Sequence, residues 1–281
     1  MKVIKYFLAL SIAVLGFTSC DNGEPKDDAT TNPGQEQPTP PAPTQDEIEQ
    51  LWPDSIITAE VGEFILVKRD TTSNKLRASF YMCTKEVTQA QWEAIMGTNP
   101  SDNEYIKEGA NIKNCPVNNI KYSDAKAFVK ALNEITGRKF AIPSETQWEW
   151  AAMGGLLSNG YKYSGSDTTS EVAWSAVDYD YTLNEVAQLQ PNELGIYDMS
   201  GNIAEWTSAS NTIRGGHYET EDPEELEVTY SSKMNVDAPY IVGIRLILEE
   251  PLESELLDEE ELKAKLEEEK QETDDSIVEE K

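Results

Sequence analysis

The chain has 281 residues, 52 of them Asp or Glu against 23 Lys or Arg, for a formal net charge of -29. That balance excludes nucleic-acid binding, which needs a basic footprint, and works against long-range attraction to an anionic membrane surface. One histidine, His217, supplies neither a histidine-ligated metal cluster nor a Ser-His-Asp relay.

The chain begins with a targeting pattern. Lys2 and Lys5 flank the start of an apolar run, Tyr6 to Phe17, that is too short to span a bilayer comfortably. The run stops at Phe17-Thr18-Ser19-Cys20, which resembles a bacterial lipobox, with Phe17 bulkier than the usual Leu or Val. Residues 1–19 are therefore predicted to be a lipoprotein signal peptide and Cys20 the lipidated N-terminus. An ordinary secretory signal cleaved near Cys20 is the alternative. More than one acyl chain on Cys20 gives stable membrane anchoring, so the expected location is the cell envelope, at the outer membrane or the cell surface. Residues 20–46 are rich in Pro, Thr, Asp and Gln and almost without apolar side chains, which predicts a disordered, extended spacer. Lys26-Asp27-Asp28 is similar to the surface-export tags of Bacteroidetes lipoproteins.

Residues 47–249 read as the folded domain. Phe64 to Val67 and Ala78 to Met82 are predicted strands joined by a turn at TTSNK. Thr88 with Gln91 forms a capping-box pair, Gly97 sits where a helix should stop, and Trp92, Ile95 and Met96 would be the buried face. Ser123 opens a second helix with the stripe Ala125, Phe128, Val129, Leu132 and Ile135, ended by Gly137. Ser144 with Gln147 caps a third, carrying Trp148, Ala151 and Ala152. Residues 156–190 are polar and irregular and read as long surface loops. Tyr240 to Leu248 is a predicted C-terminal strand. Residues 250–281 are strongly acidic with a partial stripe of Leu252, Leu256, Leu262 and Leu266. The sequence favours a solvated or frayed acidic tail over a partner-binding helix.

Cys83 and Cys115 invite two readings. A bridge would close a loop of about 30 residues and contribute roughly 3–4 kcal/mol in the chain-entropy model. The alternative is two separate buried thiols.

The most informative stretch is Pro191 to Gly216. Leu194-Gly195-Ile196-Tyr197-Asp198-Met199-Ser200-Gly201-Asn202-Ile203-Ala204-Glu205-Trp206 places Asp198, Asn202 and Glu205 on one glycine-containing loop. Oxygen-bearing side chains crowded in this way suit a hard cation, normally calcium. A polar turn with Trp206 as a core anchor is the simpler reading.

The same stretch resembles the "GLYDM-GNVWEW" signature of the formylglycine-generating enzyme, or sulfatase-modifying factor, family. Lys85-Glu86-Val87-Thr88, Cys115-Pro116-Val117-Asn118-Asn119-Ile120, Ile142-Pro143-Ser144-Glu145-Thr146-Gln147-Trp148-Glu149-Trp150, Ile213-Arg214-Gly215-Gly216 and Gly243-Ile244-Arg245-Leu246 resemble the family's other motifs, in order. The resemblance implies an α+β, C-type-lectin-like fold with long loops. It implies structural calcium held by the side chains of Asp198 and Glu205 and the main-chain carbonyls of Gly201 and Ile203. In the family's aerobic enzymes a cysteine pair after the "RGGS" strand holds copper and the substrate thiol. Here His217 replaces the Ser, and no cysteine follows Gly216, so copper chemistry lacks its ligands. The resulting expectation is a non-catalytic envelope lipoprotein that binds a protein or glycan partner. The alternative is a formylglycine-generating-type oxidase of a protein or peptide thiol with altered chemistry. A fold does not by itself fix either.

Overall fold

The computed structural model describes residues 43–268, apart from residues 74, 236–239 and 259. Cys20, the signal segment, most of the spacer and the end of the acidic tail lie outside the described residues. Two compact units are formed, Pro53–Glu255 and the pairing of Met1–Trp52 with Leu256–Lys281, the latter described only for residues 43–52 and 256–268.

The larger unit is built on a five-stranded antiparallel sheet. Ser55–Thr58 (β1), Gly62–Val67 (β2) and Phe80–Cys83 (β3) pair in sequence, so the predicted hairpin forms. Phe140–Ala141 (β4) closes the far edge, and the last strand, Ile247–Leu248, lies between β3 and β4. All four residues of β3 are buried. An unbroken apolar run, rather than alternation, is what a strand covered on both faces requires.

The three predicted helices form, the first and third on their predicted N-caps and the second one residue ahead of Ser123, with Lys121 as its N-cap. Gln89–Met96 (α2; α1 is Gln45–Glu49 of the smaller unit) is capped by Thr88 and Gln91 and stops at Gly97, whose φ is +71°. Tyr122–Thr136 (α3) starts where the Asp124 carboxylate accepts from Lys121 N, and stops at Gly137. Glu145–Ala152 (α4) is capped by Ser144 and Gln147. Such caps contribute about 1 kcal/mol each because they satisfy otherwise orphaned N–H groups. Trp92 stacks on Phe128 with ring centroids 4.9 Å apart, joining α2 to α3. The predicted faces hold in part. Ile95 and Met96 are half-buried, and Ile135, in the last turn of its helix, is exposed.

A second sheet orders Val242–Gly243, Ala204–Trp206, Thr212–Arg214 and Ser232–Lys233. Ala173–Trp174 pairs in parallel with Ser200–Gly201. The predicted C-terminal strand is thus split between two sheets. Gly243 permits the passage, since a Cβ there would lie 2.5 Å from Val117 O. Arg245, in the break, turns its side chain fully inward.

The 156–190 segment differs most from expectation. Tyr163, Ser164, Val172, Ala173, Trp174, Ser175, Leu183 and Asn184 are buried. Side-chain hydrogen bonds hold it against the core. Ser164 Oγ donates to Ala152 O at 2.8 Å, and Asn192 Nδ2 donates to Ala151 O at 2.8 Å and Ser164 Oγ at 3.0 Å. A polar segment can be buried when its backbone groups find such partners. Ile196 and Met199 of the motif join Trp148, Val67, Met82 and Ile247 in the main core. Each fully buried large side chain contributes about 1.5–3 kcal/mol.

The smaller unit draws chain ends together. Helix α1, with a Thr44–Glu47 capping box, leads to Leu51 and Trp52. Leu257 N donates to Leu51 O at 2.8 Å, and Lys265 Nζ donates to Trp52 O at 3.0 Å, from a helix over 260–268. Leu262 is buried while Leu252 and Leu266 are exposed, so part of the acidic segment is packed rather than solvated. Ahead of it, within the larger unit, Glu250 pairs with Lys139 and Glu255 with Arg138. No described helix is long and apolar enough to cross a membrane.

Candidate functional site

The loop from Asp198 to Glu205 sits on left-handed backbone. Asp198, Gly201 and Asn202 have φ of +57°, +81° and +58°. Only glycine serves at 201, because a Cβ there would lie 2.4 Å from Trp174 O. Backbone bonds pin the turn on three sides. Gly201 N donates to Gly215 O at 2.7 Å, Asn202 N to Trp174 O at 2.7 Å, and Tyr218 N to Asn202 O at 3.0 Å. The Asn202 side chain accepts from Asn184 N at 3.0 Å.

Below the turn lies a buried cluster of charge. Glu205 and Arg245 are both fully buried. Glu205 Oε1 accepts from Arg245 Nη2 at 2.8 Å and Nε at 3.0 Å. Glu205 Oε2 accepts from Trp148 Nε1 at 2.6 Å. Arg245 also donates to Cys83 O at 3.1 Å and Tyr197 O at 2.8 Å. Both partners of this ion pair are therefore satisfied, the condition under which a buried pair is tolerated.

Two further carboxylates share the interior without such a partner. Asp198 Oδ2 accepts from Ala187 N at 2.6 Å. Glu86 Oε2 accepts weakly from Asn202 Nδ2 at 3.4 Å, and Glu86 Oε1, buried, has no hydrogen-bond donor. Asp198 and Glu86 are electrostatic neighbours, each acting on the other's ionisation. Burial, then repulsion by Asp198, raises Glu86 well above the usual carboxylate range. Burial likewise pushes Asp198 up to about 6, against the pull of Ala187 N and Arg245. One guanidinium thus serves three buried carboxylates.

All four predicted calcium positions come together on this loop, but their side chains are not equivalent. Glu205 has both oxygens engaged by Arg245 and Trp148. Asp198 faces Glu86. Among the described residues no three His, Cys, Asp or Glu side chains are grouped to hold a metal ion. The orphaned Glu86 oxygen beside Asp198 does fit a hard cation, with main-chain or water oxygens completing the shell. Sequence reasoning quoted Glu86 only as part of a motif and gave it no place in this site, whereas Arg245, with Arg214 or backbone N–H groups, was the alternative to calcium for neutralising the loop. Arg245 carried a signal, a charge set in the apolar stretch Ile244-Arg245-Leu246, while Glu86, in the polar Thr84-Lys85-Glu86-Val87-Thr88, carried none.

The segment after Gly216 is a packed turn. His217 N donates to Thr220 Oγ1 at 3.0 Å, and His217 Nδ1 accepts from Glu219 N at 3.2 Å. Burial lowers the imidazole to about 4, so it is neutral. Tyr218, Thr220 and Leu226 are buried. Arg214 pairs with Glu149 at 2.8 Å. Cys83 and Cys115 are unbridged and buried. Cys83 Sγ donates to Val61 O and Cys115 Sγ to Asn111 O. Burial raises both thiols, Cys115 to about 12, which is the opposite of what a copper or nucleophilic thiolate needs. The residues present do not fit copper.

Around the turn lies a group of aromatic side chains, Trp174 and Tyr218 buried and Tyr105 exposed. Lys107 Nζ lies 4.9 Å from the Trp174 ring, Trp174 packs on Tyr179 at 4.3 Å, and Tyr105 on Tyr218 at 5.6 Å. Leu183 links these groups, donating to Tyr105 O and accepting from Lys107 N. Tyr105 and Tyr181 are exposed.

Comparison with known proteins places this arrangement. A protein described as Chaperone protein LppX, from Paenibacillus barcinonensis, is 30% identical over 204 residues, covering 54% of this chain and 70% of that protein. The formylglycine-generating enzyme of Streptomyces coelicolor is 29% identical over 108 residues, 34% of this chain and 32% of its own. The inactive C-alpha-formylglycine-generating enzyme 2 of Bos taurus is 26% identical over 167 residues, 54% of this chain and 51% of its own. The solved structure of Treponema denticola variable protein 1 shares the fold with a TM-score of 0.61 at 21% identity, covering 70% of this chain and all of that one. Residues 42–250 match the family model, and the chain belongs to the sulfatase-modifying factor enzyme 1-like domain family.

Proposed function

We propose that this domain is a non-catalytic binding module, carried on an exported protein anchored to the bacterial envelope through lipid on Cys20. One observation carries the loss of catalysis. The segment that follows Arg214-Gly215-Gly216 has no cysteine, and the two cysteines elsewhere in the domain are buried, protonated donors. Thiol oxidation through copper needs accessible thiolates. Similarity to a protein described as a chaperone, and to an enzyme relative described as inactive, supports a role in engaging another protein. The face that would do so carries the exposed Tyr105, Tyr181 and Lys107 and the half-buried Tyr179, backed by the buried Trp174. Tyrosine and tryptophan offer large amphipathic contact area at low conformational cost.

The decisive experiment incubates purified protein with copper and a peptide bearing a sulfatase-type cysteine. Unchanged peptide mass is the expected result. Conversion of the cysteine to an aldehyde, abolished by Cys83→Ser or Cys115→Ser, would overturn the reading in favour of an oxidase with altered chemistry. The anchor is tested separately, since Cys20→Ala should move the protein from the membrane to the soluble fraction.

A further inference from the structure

We infer that the tyrosine face takes a basic segment of a partner protein, its lysine or arginine side chains seated among Tyr105, Tyr181 and Tyr240 and met by Asp102, Glu219 and Glu221. The inference rests on the reading above that this face engages another protein, and it adds the chemistry of what is engaged.

Three observations carry it. The first is a grouping of rings. Tyr105 packs on the buried Tyr218 with ring centroids 5.6 Å apart, and Tyr240 is a further electrostatic neighbour of Tyr218. Tyr181 is drawn to the same place because Leu183 N, two residues on, donates to Tyr105 O at 2.8 Å. Tyr105, Tyr181 and Tyr240 are 42%, 46% and 56% exposed, so each keeps close to half of its surface in water. The face of such a ring carries negative charge density and attracts ammonium and guanidinium groups.

The second is the sign of the charge around the rings. Glu219 and Asp102 are electrostatic neighbours of Tyr218, and Glu219 and Glu221 of Tyr181. Asp102 and Glu221 are exposed and Glu219 is half-buried. Among the described residues none of the three forms an ion pair. Burial raises the Glu219 carboxyl, as it does for an acid that has lost water without gaining a cation. Lys107, the cation placed at this face, has its Nζ over the Trp174 ring, and His217, beside Tyr218, is neutral. Rings and unpaired carboxylates are the two groups that bind lysine and arginine. An acidic partner would be repelled, and a neutral glycan would use the rings but leave the three charges uncompensated. The net charge of -29 adds long-range attraction for a basic chain.

The third is that Tyr181 is held in place before anything binds. Its φ is +46°, uncommon for a bulky residue, and its N donates to Tyr179 O at 2.9 Å. Its hydroxyl donates to Glu221 Oε1. A side chain fixed at both ends loses little freedom when a partner meets it.

The test titrates the full-length protein into a short fluorescein-labelled peptide rich in Lys and Arg and free of Cys, read by anisotropy. A twin peptide with every Lys and Arg replaced by Gln is the comparison. The basic peptide should bind and the twin should not. Tyr181→Ala and Tyr105→Ala should each weaken binding by about three- to tenfold, and Glu221→Gln by about two- to fivefold. Tyr181→Phe keeps the ring and should keep most of the affinity. Glu134→Gln, an exposed acid on α3 paired with Lys130, should change nothing. Should Tyr181→Ala fail to fold, Glu219→Gln and Glu221→Gln remove the charge without changing volume and carry the same comparison. Three results overturn the inference. One is loss of affinity in Glu134→Gln equal to that in the tyrosine variants, which would mean attraction by bulk negative charge. Another is Tyr181-dependent binding of the Gln twin, which would keep a protein-binding face and discard the basic partner. The third is Tyr181-dependent binding of a neutral oligosaccharide with none of the basic peptide, which would make the face a glycan site. Oxidation of a peptide cysteine in the copper experiment would overturn the non-catalytic reading without touching this measurement, since the probe has no thiol.

Discussion

Glu205 and Glu86 occupy the same interior, are equally buried, and differ in one respect. Glu205 has an arginine and an indole aimed at it, and Glu86 has one long bond from Asn202. The first is a finished ion pair that locks two sheets together, since Glu205 lies on Ala204–Trp206 and Arg245 between Val242–Gly243 and the strand Ile247–Leu248. The second is an unfinished charge. The contrast shows that an acid in a core is not one kind of feature. Compensation makes it a structural fastener, and its absence raises the acid's hold on a proton.

Removing the compensation should erase the difference most strongly. Arg245→Gln leaves Glu205 unpaired in the core and should destabilise the domain by about 3–5 kcal/mol, read as a large drop in the denaturant midpoint. A domain that tolerates this change would show that Glu205 is not held as the geometry indicates. Trp148→Phe is a milder break. It keeps most of the apolar volume but removes the donor to Glu205 Oε2, with an expected loss of about 1–3 kcal/mol. That loss should shrink in an Arg245→Gln background, because both donors act on one carboxylate.

A comparison with His217 sharpens the point through pH. Its imidazole is held near 4 by burial, against about 6.5 when unfolded. Below pH 6.5 the unfolded chain therefore binds the proton that the folded one refuses, so stability falls as pH drops towards 4. The contribution is on the order of 2 kcal/mol, and His217→Gln should remove that part of the slope in melts across the window. Neither carboxylate pair should change the His217 effect, as His217 bonds only Thr220 and Glu219 among the described residues. The smallest expected effect is local. Ser144→Ala should cost about 1 kcal/mol by uncapping α4, read as a small drop in the denaturant midpoint. A cap mutation that also changed the cost of Arg245→Gln would mean that the helix bearing Trp148 sets the ion-pair geometry more tightly than the contacts suggest.

Much of this molecule could be read locally. The capping boxes of Thr88 with Gln91 and Ser144 with Gln147 span three residues, so each declares its helix without reference to the rest of the chain. The family motifs likewise announced the fold, and the sequence after Gly216 already lacks the thiols that copper would need. The 156–190 segment was read rightly as irregular, but its buried residues were missed because polarity normally signals exposure. Its burial depends on partners such as Ala151 and Ala152 on a helix that the segment itself does not encode.

Sequence alone determined the acidic character, the cap-bounded helices and the oxygen-rich loop with its glycine at 201, since these rest on composition and on residues a few positions apart. Tertiary structure alone decided which carboxylates are satisfied. Arg245 reaches Glu205 across 40 residues, and Asn202 reaches Glu86 across 116. The free energy of a buried charge is set by the atoms that surround it, and those come from strands and turns distant in the chain. Spacing could bring Asp198 and Glu205 to one loop, but only folding could give Glu205 to an arginine and leave Glu86 beside Asp198.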